Sequence, residues 1–261
     1  MRGALLREFE RIAIAAGALI MEVYRGDISV DIKNDQSPVT EADRRAEAFI
    51  LEALRTHFPE IPVVAEEEAA AGHLPELKGN AFILVDPLDG TKEFINKRED
   101  FTVNIALIED GVPIAGVVFA PARNVAYSGA DGTAEKLEVD GMDVTLRTPI
   151  AVRKVHGDKI AVASRSHNSP ETIAFLEENG ITEYKSVGSS LKFCLLAEGE
   201  ADVYPRFGRT MEWDTAAGDA VLRAAGGVTR KTDGTIFNYG KRNQAEDVDF
   251  ANPHFIAWAS L

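Results

Sequence analysis

The sequence predicts a mixed α+β/α/β protein, with helices and an antiparallel sheet over residues 1–150 and an alternating α/β layer over 151–261. Three observations carry this. Two stretches before residue 60 repeat apolar residues at steps of three and four, the period of an amphipathic helix. Between 81 and 119 the apolar runs have β-like lengths and are separated by an Asp-Gly turn. After about 150, strand-like and helix-like segments alternate. A chain of 261 residues buries a large core, and two subdomains sharing a cleft are the simplest arrangement.

Taken in order, residues 4–24 place Leu5, Phe9, Ile12, Ala16, Leu19 and Val23 on one helical face. Residues 28–39 contain Pro38 and several polar groups and read as strand or loop. A second helix is expected over 40–57, stopped by Pro59. The short runs 61–65 and 81–85 read as strands that each deliver acidic residues at their ends. A hairpin follows, 101–108 and 112–119, turned by Asp110-Gly111. In the second half 159–163 is β-like, and Ser169-Pro170-Glu171 opens a helix that closes near Asn179-Gly180. Residues 185–187 form a strand, 189–198 a helix, 202–206 a strand and 214–225 a helix closed by Gly226-Gly227.

Charge and composition narrow the function classes. The formal net charge is −14, which repels a polyanion at long range and excludes binding of DNA or RNA as a polymer. A small phosphorylated substrate would need that field offset locally, and divalent cations held by carboxylates would do so. Cys194 is the only cysteine, so neither an internal disulfide framework nor a cysteine zinc site is expected; its apolar helical surroundings read as a buried small hydrophobe. Arg7, Glu8, Glu10 and Arg11 interrupt the N-terminal apolar stretch, so no signal peptide is expected. No run reaches the roughly 18–20 apolar residues that span a bilayer. A cytoplasmic protein is expected, at most peripheral at the inner face of the cell membrane.

The strongest chemical signal is Ile83-Leu84-Val85-Asp86-Pro87-Leu88-Asp89-Gly90-Thr91. A buried strand ends in two carboxylates three residues apart, with a turn that can aim the Leu88 carbonyl at the same ion. Hard divalent cations take such oxygen ligands. Thr91 adds a hydroxyl within reach of a metal-bound water. Asp-Gly alone would be an ordinary strand exit; the whole string is not. Upstream, Ala65-Glu66-Glu67-Glu68 is by itself a solvated acidic run, and beside the Asp86 turn one of its glutamates becomes a third ligand. Glu212-Trp213-Asp214-Thr215-Ala216-Ala217-Gly218 places Asp214 at a helix start, as an N-cap, as part of an anion site, or as both. In Ser37-Pro38-Val39-Thr40-Glu41-Ala42-Asp43, Asp43 either completes a capping box or orients a water together with Thr91; spacing does not choose.

Together these segments resemble the inositol monophosphatase superfamily of metal-dependent, lithium-sensitive phosphatases, whose two sequence signatures stand intact as Asp86-Pro87-Leu88-Asp89-Gly90-Thr91 and Trp213-Asp214-Thr215-Ala216-Ala217-Gly218. The resemblance implies a layered α/β/α/β/α sandwich of the inositol monophosphatase and fructose-1,6-bisphosphatase type. It also implies two or three Mg2+ ions held by Glu66, Asp86, the Leu88 carbonyl, Asp89 and Asp214. Asp43 and Thr91, with Glu66, would orient the attacking water. Ala65 stands where relatives often have Ser or Gly, and three glutamates follow instead of two, so Glu67 competes with Glu66 for the ligand role.

Within the superfamily the chain is most similar to bacterial 3′(2′),5′-bisphosphate nucleotidases of the CysQ type. The similarity lies in residues 89–95, Ala163-Ser164-Arg165-Ser166-His167, residues 186–193 and Tyr204-Pro205-Arg206-Phe207-Gly208. It implies hydrolysis of the 3′(2′)-phosphate of adenosine 3′,5′-bisphosphate to AMP and phosphate. The second phosphate would meet Arg165, Lys192 and Arg206, with Ser189, Gly188 amides, Ser164, Gly90, Thr91, Asp214 and His167 lining the substrate site. Inositol phosphates, fructose 1,6-bisphosphate and dinucleotide 2′-phosphates are the alternative substrates. A haloacid-dehalogenase-type phosphatase with nucleophilic Asp86 and a non-catalytic nucleotide sensor are the rival readings. Relatives are monomers or homodimers.

Overall fold

Leu6, Phe9, Ile12, Ala16 and Ile20 recur at three- and four-residue steps, and helix α1 (Arg2–Arg25) buries this stripe. The computed structural model describes residues 2–33, 38–154, 157–164 and 169–260. A two-stranded ribbon, β1 (Val30–Ile32) with β2 (Pro38–Thr40), leads into α2 (Glu41–His57). Then come β3 (Val63–Ala65), α3 (Glu66–Ala70), β4 (Ala81–Asp89), α4 (Thr91–Ile95), β5 (Thr102–Glu109) and β6 (Val112–Ala120). Three strands that the apolar runs do not announce complete the first half: β7 (Val125–Ala130), β8 (Thr133–Asp140) and β9 (Asp143–Ile150). All seven strands from β3 to β9 form one sheet in sequence order, antiparallel except for the parallel β3–β4 pair.

The second half supplies β10 (Ile160–Ser164), α5 (Pro170–Glu178), β11 (Glu183–Val187), α6 (Leu191–Ala197), β12 (Val203–Arg206), α7 (Glu212–Ala224), β13 (Val228–Lys231) and β14 (Phe255–Trp258). Its five-stranded sheet runs β11-β10-β12-β14-β13. The strands β13 and β14 are additions to the sequence reading, and α7 starts two residues earlier than residue 214.

Strand alternation sorts the core into layers. On β4 and β5, Ile83, Val85, Val103, Ile105 and Leu107 face one cluster with α1 and α2. Their neighbours Phe82, Leu84, Ala106 and Ile108 face a second cluster with α6, α7 and the near side of the five-stranded sheet (Val162, Tyr204, Phe255, Ala257). The far side of that sheet, Ala161 and Val203, packs against Leu176 of α5. The layers are therefore helix, sheet, helix, sheet, helix, as the resemblance implied. The middle helix pair shares its core with both sheets. Its close approach rests on small residues: a Cβ on Gly116 of β6 would lie 2.8 Å from the Ala217 carbonyl of α7. That contact fixes how near α7, with Asp214 at its start, comes to the seven-stranded sheet.

Candidate active site

The end of β4 builds the centre of the site. Strand alternation points Asp86, like Phe82 and Leu84, toward α7, and three more residues would ordinarily turn Asp89 to the opposite face. The β4–β5 register prevents this. Asp86 faces Asn104 and Asp89 faces Thr102, so one extra residue is bulged out between them. Leu88 drops into the α1/α2 core instead, and both aspartates share the α7 side. The Leu88 N–H donates to Asp86 Oδ1 at 3.0 Å, which holds the turn closed. Parallel pairing of Ala65 with Val85 then brings the next residue, Glu66, alongside Asp86.

Gly90 continues the turn in the left-handed region at φ +97°, and a Cβ there would sit 2.9 Å from the Asp100 carbonyl. We expect Gly90→Ala to cost about 1–3 kcal/mol of stability, read by denaturant unfolding. A variant as stable as wild type would show that the turn tolerates a side chain. The next residue, Thr91, donates through Oγ1 to Asp43 Oδ1 at 3.2 Å and lies 3.3 Å from the Leu88 carbonyl. The other Asp43 oxygen accepts from the Thr40 N–H at 2.7 Å and the Thr40 hydroxyl at 2.6 Å. Asp43 thus occupies both positions that spacing left open, the capping box of α2 and the Thr91 contact.

Asp89 Oδ2 accepts from the Ser190 N–H (2.7 Å), the Ser190 hydroxyl (3.0 Å) and Asn104 Nδ2 (3.4 Å). The same hydroxyl lies 2.6 Å from the Asp214 carbonyl, so its one proton is shared between these two acceptors and links the two aspartates' segments. Asp214 is not an N-cap: it is the third residue of α7, and its Oδ2 accepts from the Met211 N–H at 2.8 Å. The helix begins at Glu212 because that buried carboxylate accepts from the Gly240 and Lys241 N–H groups, anchoring the terminus to the loop before β14.

Electrostatics favour a cation among these groups. Burial pushes the Asp86 and Asp214 carboxyls well above the usual carboxylate range, and repulsion from Glu66 and Asp89 adds to both. Burial also raises Glu66 and Asp89. Among the described residues no three acidic or imidazole groups converge, as they stand, around one point. Each carboxylate is instead turned to a donor of the chain itself. Lys33 takes this part for the glutamates, with Nζ 2.7 Å from Glu66 and 2.6 Å from Glu67. Four mutually repelling carboxylates of this kind, with a turn carbonyl, fit a hard divalent ion.

A cavity of about 740 Å³ opens over this centre, and Glu66, Asp89, Gly90, Thr91 and Asp214 line it. Glu67 is not among its walls, which favours Glu66 as the ligand. The C-terminal half contributes Gly188, Ser189, Lys192 and Arg206. Lys192 is buried and donates to the Ser189 carbonyl at 2.7 Å; burial pulls its pKa down to about 8. Arg206 donates to the Arg209 carbonyl, while its Nε is buried with no partner among the described residues. The Gly188 N–H is engaged by Asp100 at 3.2 Å rather than turned to the cavity. Ser164 ends β10, and Arg165 and His167 lie outside the described residues.

Ser190, Asn104 and Glu47 hold the site but were not singled out from sequence. Ser190 lies inside the stretch 186–193 that carried the resemblance, and Glu47 stands one helical turn after Asp43.

With fold and site in view, residues 5–257 match the sequence pattern of the inositol monophosphatase family. The chain belongs to that family, which sets aside the haloacid-dehalogenase alternative. Among its relatives is the 3′(2′),5′-bisphosphate nucleotidase CysQ of Escherichia coli strain K12, 45% identical over 253 residues and covering 96% of this chain and 98% of that protein. The protein of the same name from Buchnera aphidicola is 42% identical over 257 residues, covering 98% and 94%. The crystal structure of CysQ from Bacteroides thetaiotaomicron superposes with a TM-score of 0.79 at 35% identity, covering 98% of this chain and 97% of that one.

Proposed function

We propose that the protein is a Mg2+-dependent phosphatase that converts adenosine 3′,5′-bisphosphate to AMP and inorganic phosphate. The observation that carries this reading is the make-up of one cavity. Carboxylates that need a cation stand at one end, and Lys192 and Arg206, which have no carboxylate ion pair among the described residues, stand in the same cavity. A bisphosphate has one group for each. The 3′(2′),5′-bisphosphate nucleotidases among the relatives support the choice of substrate.

Glu66, Asp86, the Leu88 carbonyl, Asp89 and Asp214 would hold two or three Mg2+ ions. Bound there, they supply charge neutralisation for the phosphoryl group and leaving oxygen and acidify a water. The chain's own part is orientation. The Thr91 hydroxyl donates to Asp43, which leaves its oxygen free to accept a hydrogen bond from the attacking water. Asp43 is fixed by Thr40 at its other oxygen, so the pair keeps one direction. Water attacks phosphorus in line, the bond to the 3′ oxygen breaks, and no phosphoenzyme forms. The test is a comparison of kcat/KM on adenosine 3′,5′-bisphosphate, inositol 1-phosphate and fructose 1,6-bisphosphate in Mg2+. A preference for either of the last two would overturn the substrate assignment.

Lys192 adds a pH signature. With its pKa near 8 in the free protein, it loses its charge as pH rises past that value. The kcat/KM for the bisphosphate should therefore fall above about pH 8, and Lys192→Arg should keep it level to higher pH because guanidinium stays charged. Identical pH profiles for the two proteins would remove Lys192 from phosphate binding.

A further inference from the structure

Helix α3, whose first residue is Glu66, starts without a cap of its own. Its N-cap position is Ala65, which has extended backbone angles (φ −122°, ψ 150°) suited to capping but no side-chain acceptor. The free amides of the first turn are instead taken by α2. Glu47, only 5% exposed, accepts from the Glu67 N–H through Oε2 at 2.7 Å and from the Glu68 N–H through Oε1 at 2.9 Å. Both oxygens are used, and both partners are backbone, so the contact fixes the rotation of the turn rather than a side chain. That rotation decides which glutamate faces the cavity, since Glu66 and Glu67 are adjacent and both reach Lys33.

The same helix carries Asp43 one turn earlier, holding Thr91 from the β4 turn. Residues four apart lie on one helical face, so α2 grips two strand ends through two carboxylates. We propose that Glu47 is a positioning residue for the metal centre, holding the first turn of α3 so that Glu66, and not Glu67, is presented to the ion beside Asp86. The inference rests on the metal-dependent reading above. It adds to it a residue that touches neither ion nor substrate.

The test is calorimetric titration of Mg2+ into the metal-free full-length protein, with thermal unfolding followed in parallel. Glu47→Gln leaves one acceptor and places an amide NH2 against a backbone N–H. We expect Mg2+ affinity to fall about ten- to a hundredfold, the scale seen when partners that orient metal ligands are lost. The kcat at saturating Mg2+ should stay near wild type. Glu52→Gln, on the exposed side of the same helix, should change nothing. Adding Ala65→Ser to Glu47→Gln supplies a local cap and should restore much of the affinity. If Glu47→Gln melts earlier but binds Mg2+ like wild type, Glu47 is structural only and the inference fails. Should Glu47→Gln not fold, the double variant still decides: with a restored fold, wild-type affinity supports the positioning role, and lost affinity overturns it. Absence of Mg2+ binding by wild type would instead overturn the metal reading itself.

Discussion

Asp86→Asn should abolish phosphatase activity and, in metal-free protein, raise the melting temperature. The two effects have one cause. Asp86 is buried at the centre of a set in which Glu66, Asp89 and Asp214 all repel its charge. In the proposed metal centre that charge would be a ligand to Mg2+, and its loss should lower kcat/KM on the order of a thousandfold or more. Without metal the charge is a liability. The folded-state pKa of Asp86 is raised above the ordinary value of 3.8. As pH climbs, the unfolded chain therefore releases its proton first, and stability falls from about that pH up to the folded-state value. Asparagine does not titrate. The variant's advantage in EDTA should thus be small near pH 4 and widen as pH rises toward the folded-state value of Asp86. Saturating Mg2+ should reverse the order by stabilising wild type alone. Melting curves at pH 4, 6 and 7.5, with and without Mg2+, check each part. A variant that keeps near-normal turnover in Mg2+ would sink the assignment of Asp86 as a ligand.

The same centre shows what sequence conveys and what it does not. The Asp86–Thr91 string is legible because one turn, read locally, delivers two carboxylates and a hydroxyl. Its working geometry depends on a bulge that is visible only in the pairing with β5, where Asp86 and Asp89 face Asn104 and Thr102. Asp89 is held by Ser190, 101 residues away, and the first turn of α3, which begins at Glu66, is held by Glu47 of α2 through the Glu67 and Glu68 amides. Such contacts have no local signature. The strands β7–β9 escaped for a different reason. Val125–Ala130 is made largely of small residues, and the outermost strand, Asp143–Ile150, is mostly exposed and polar, so neither stands out as an apolar run. A turn signal was available. Asp131-Gly132 has the same paired positive φ values (50° and 75°) as Asp110-Gly111 (51° and 74°), which did mark its hairpin. Asp214 is the third residue of its helix and not its first because the helix is started by Glu212, whose partners, the amides of Gly240 and Lys241, lie 28 and 29 residues downstream.

Arg206→Ala should separate a bisphosphate from a monophosphate more sharply than any change among the carboxylates. Arg206 ends β12, and among the described residues its guanidinium is held by a bond to the Arg209 carbonyl while its buried Nε has no acceptor. A buried donor left unpaired costs free energy unless a ligand completes it. Lys192, in the same cavity, feels the strain: burial lowers its pKa first, Asp89 partly offsets this, and Arg206 lowers it further. An anion seated between the two cations would relieve both. Loss of a hydrogen bond to a charged group is worth about 1.5–3 kcal/mol. The kcat/KM for adenosine 3′,5′-bisphosphate should therefore fall about ten- to a hundredfold, expressed in KM because the second phosphate is remote from the reacting bond. Adenosine 3′-monophosphate should lose little, since it has nothing for Arg206 to bind. Arg206→Lys should fall between, keeping charge but not the planar fork that grips two oxygens. Equal losses on both nucleotides would show that Arg206 supports the fold of the cavity rather than the second phosphate. On the proposed reading the carboxylates would serve any phosphate ester alike, so the choice among esters would fall to Lys192 and Arg206 in the same cavity.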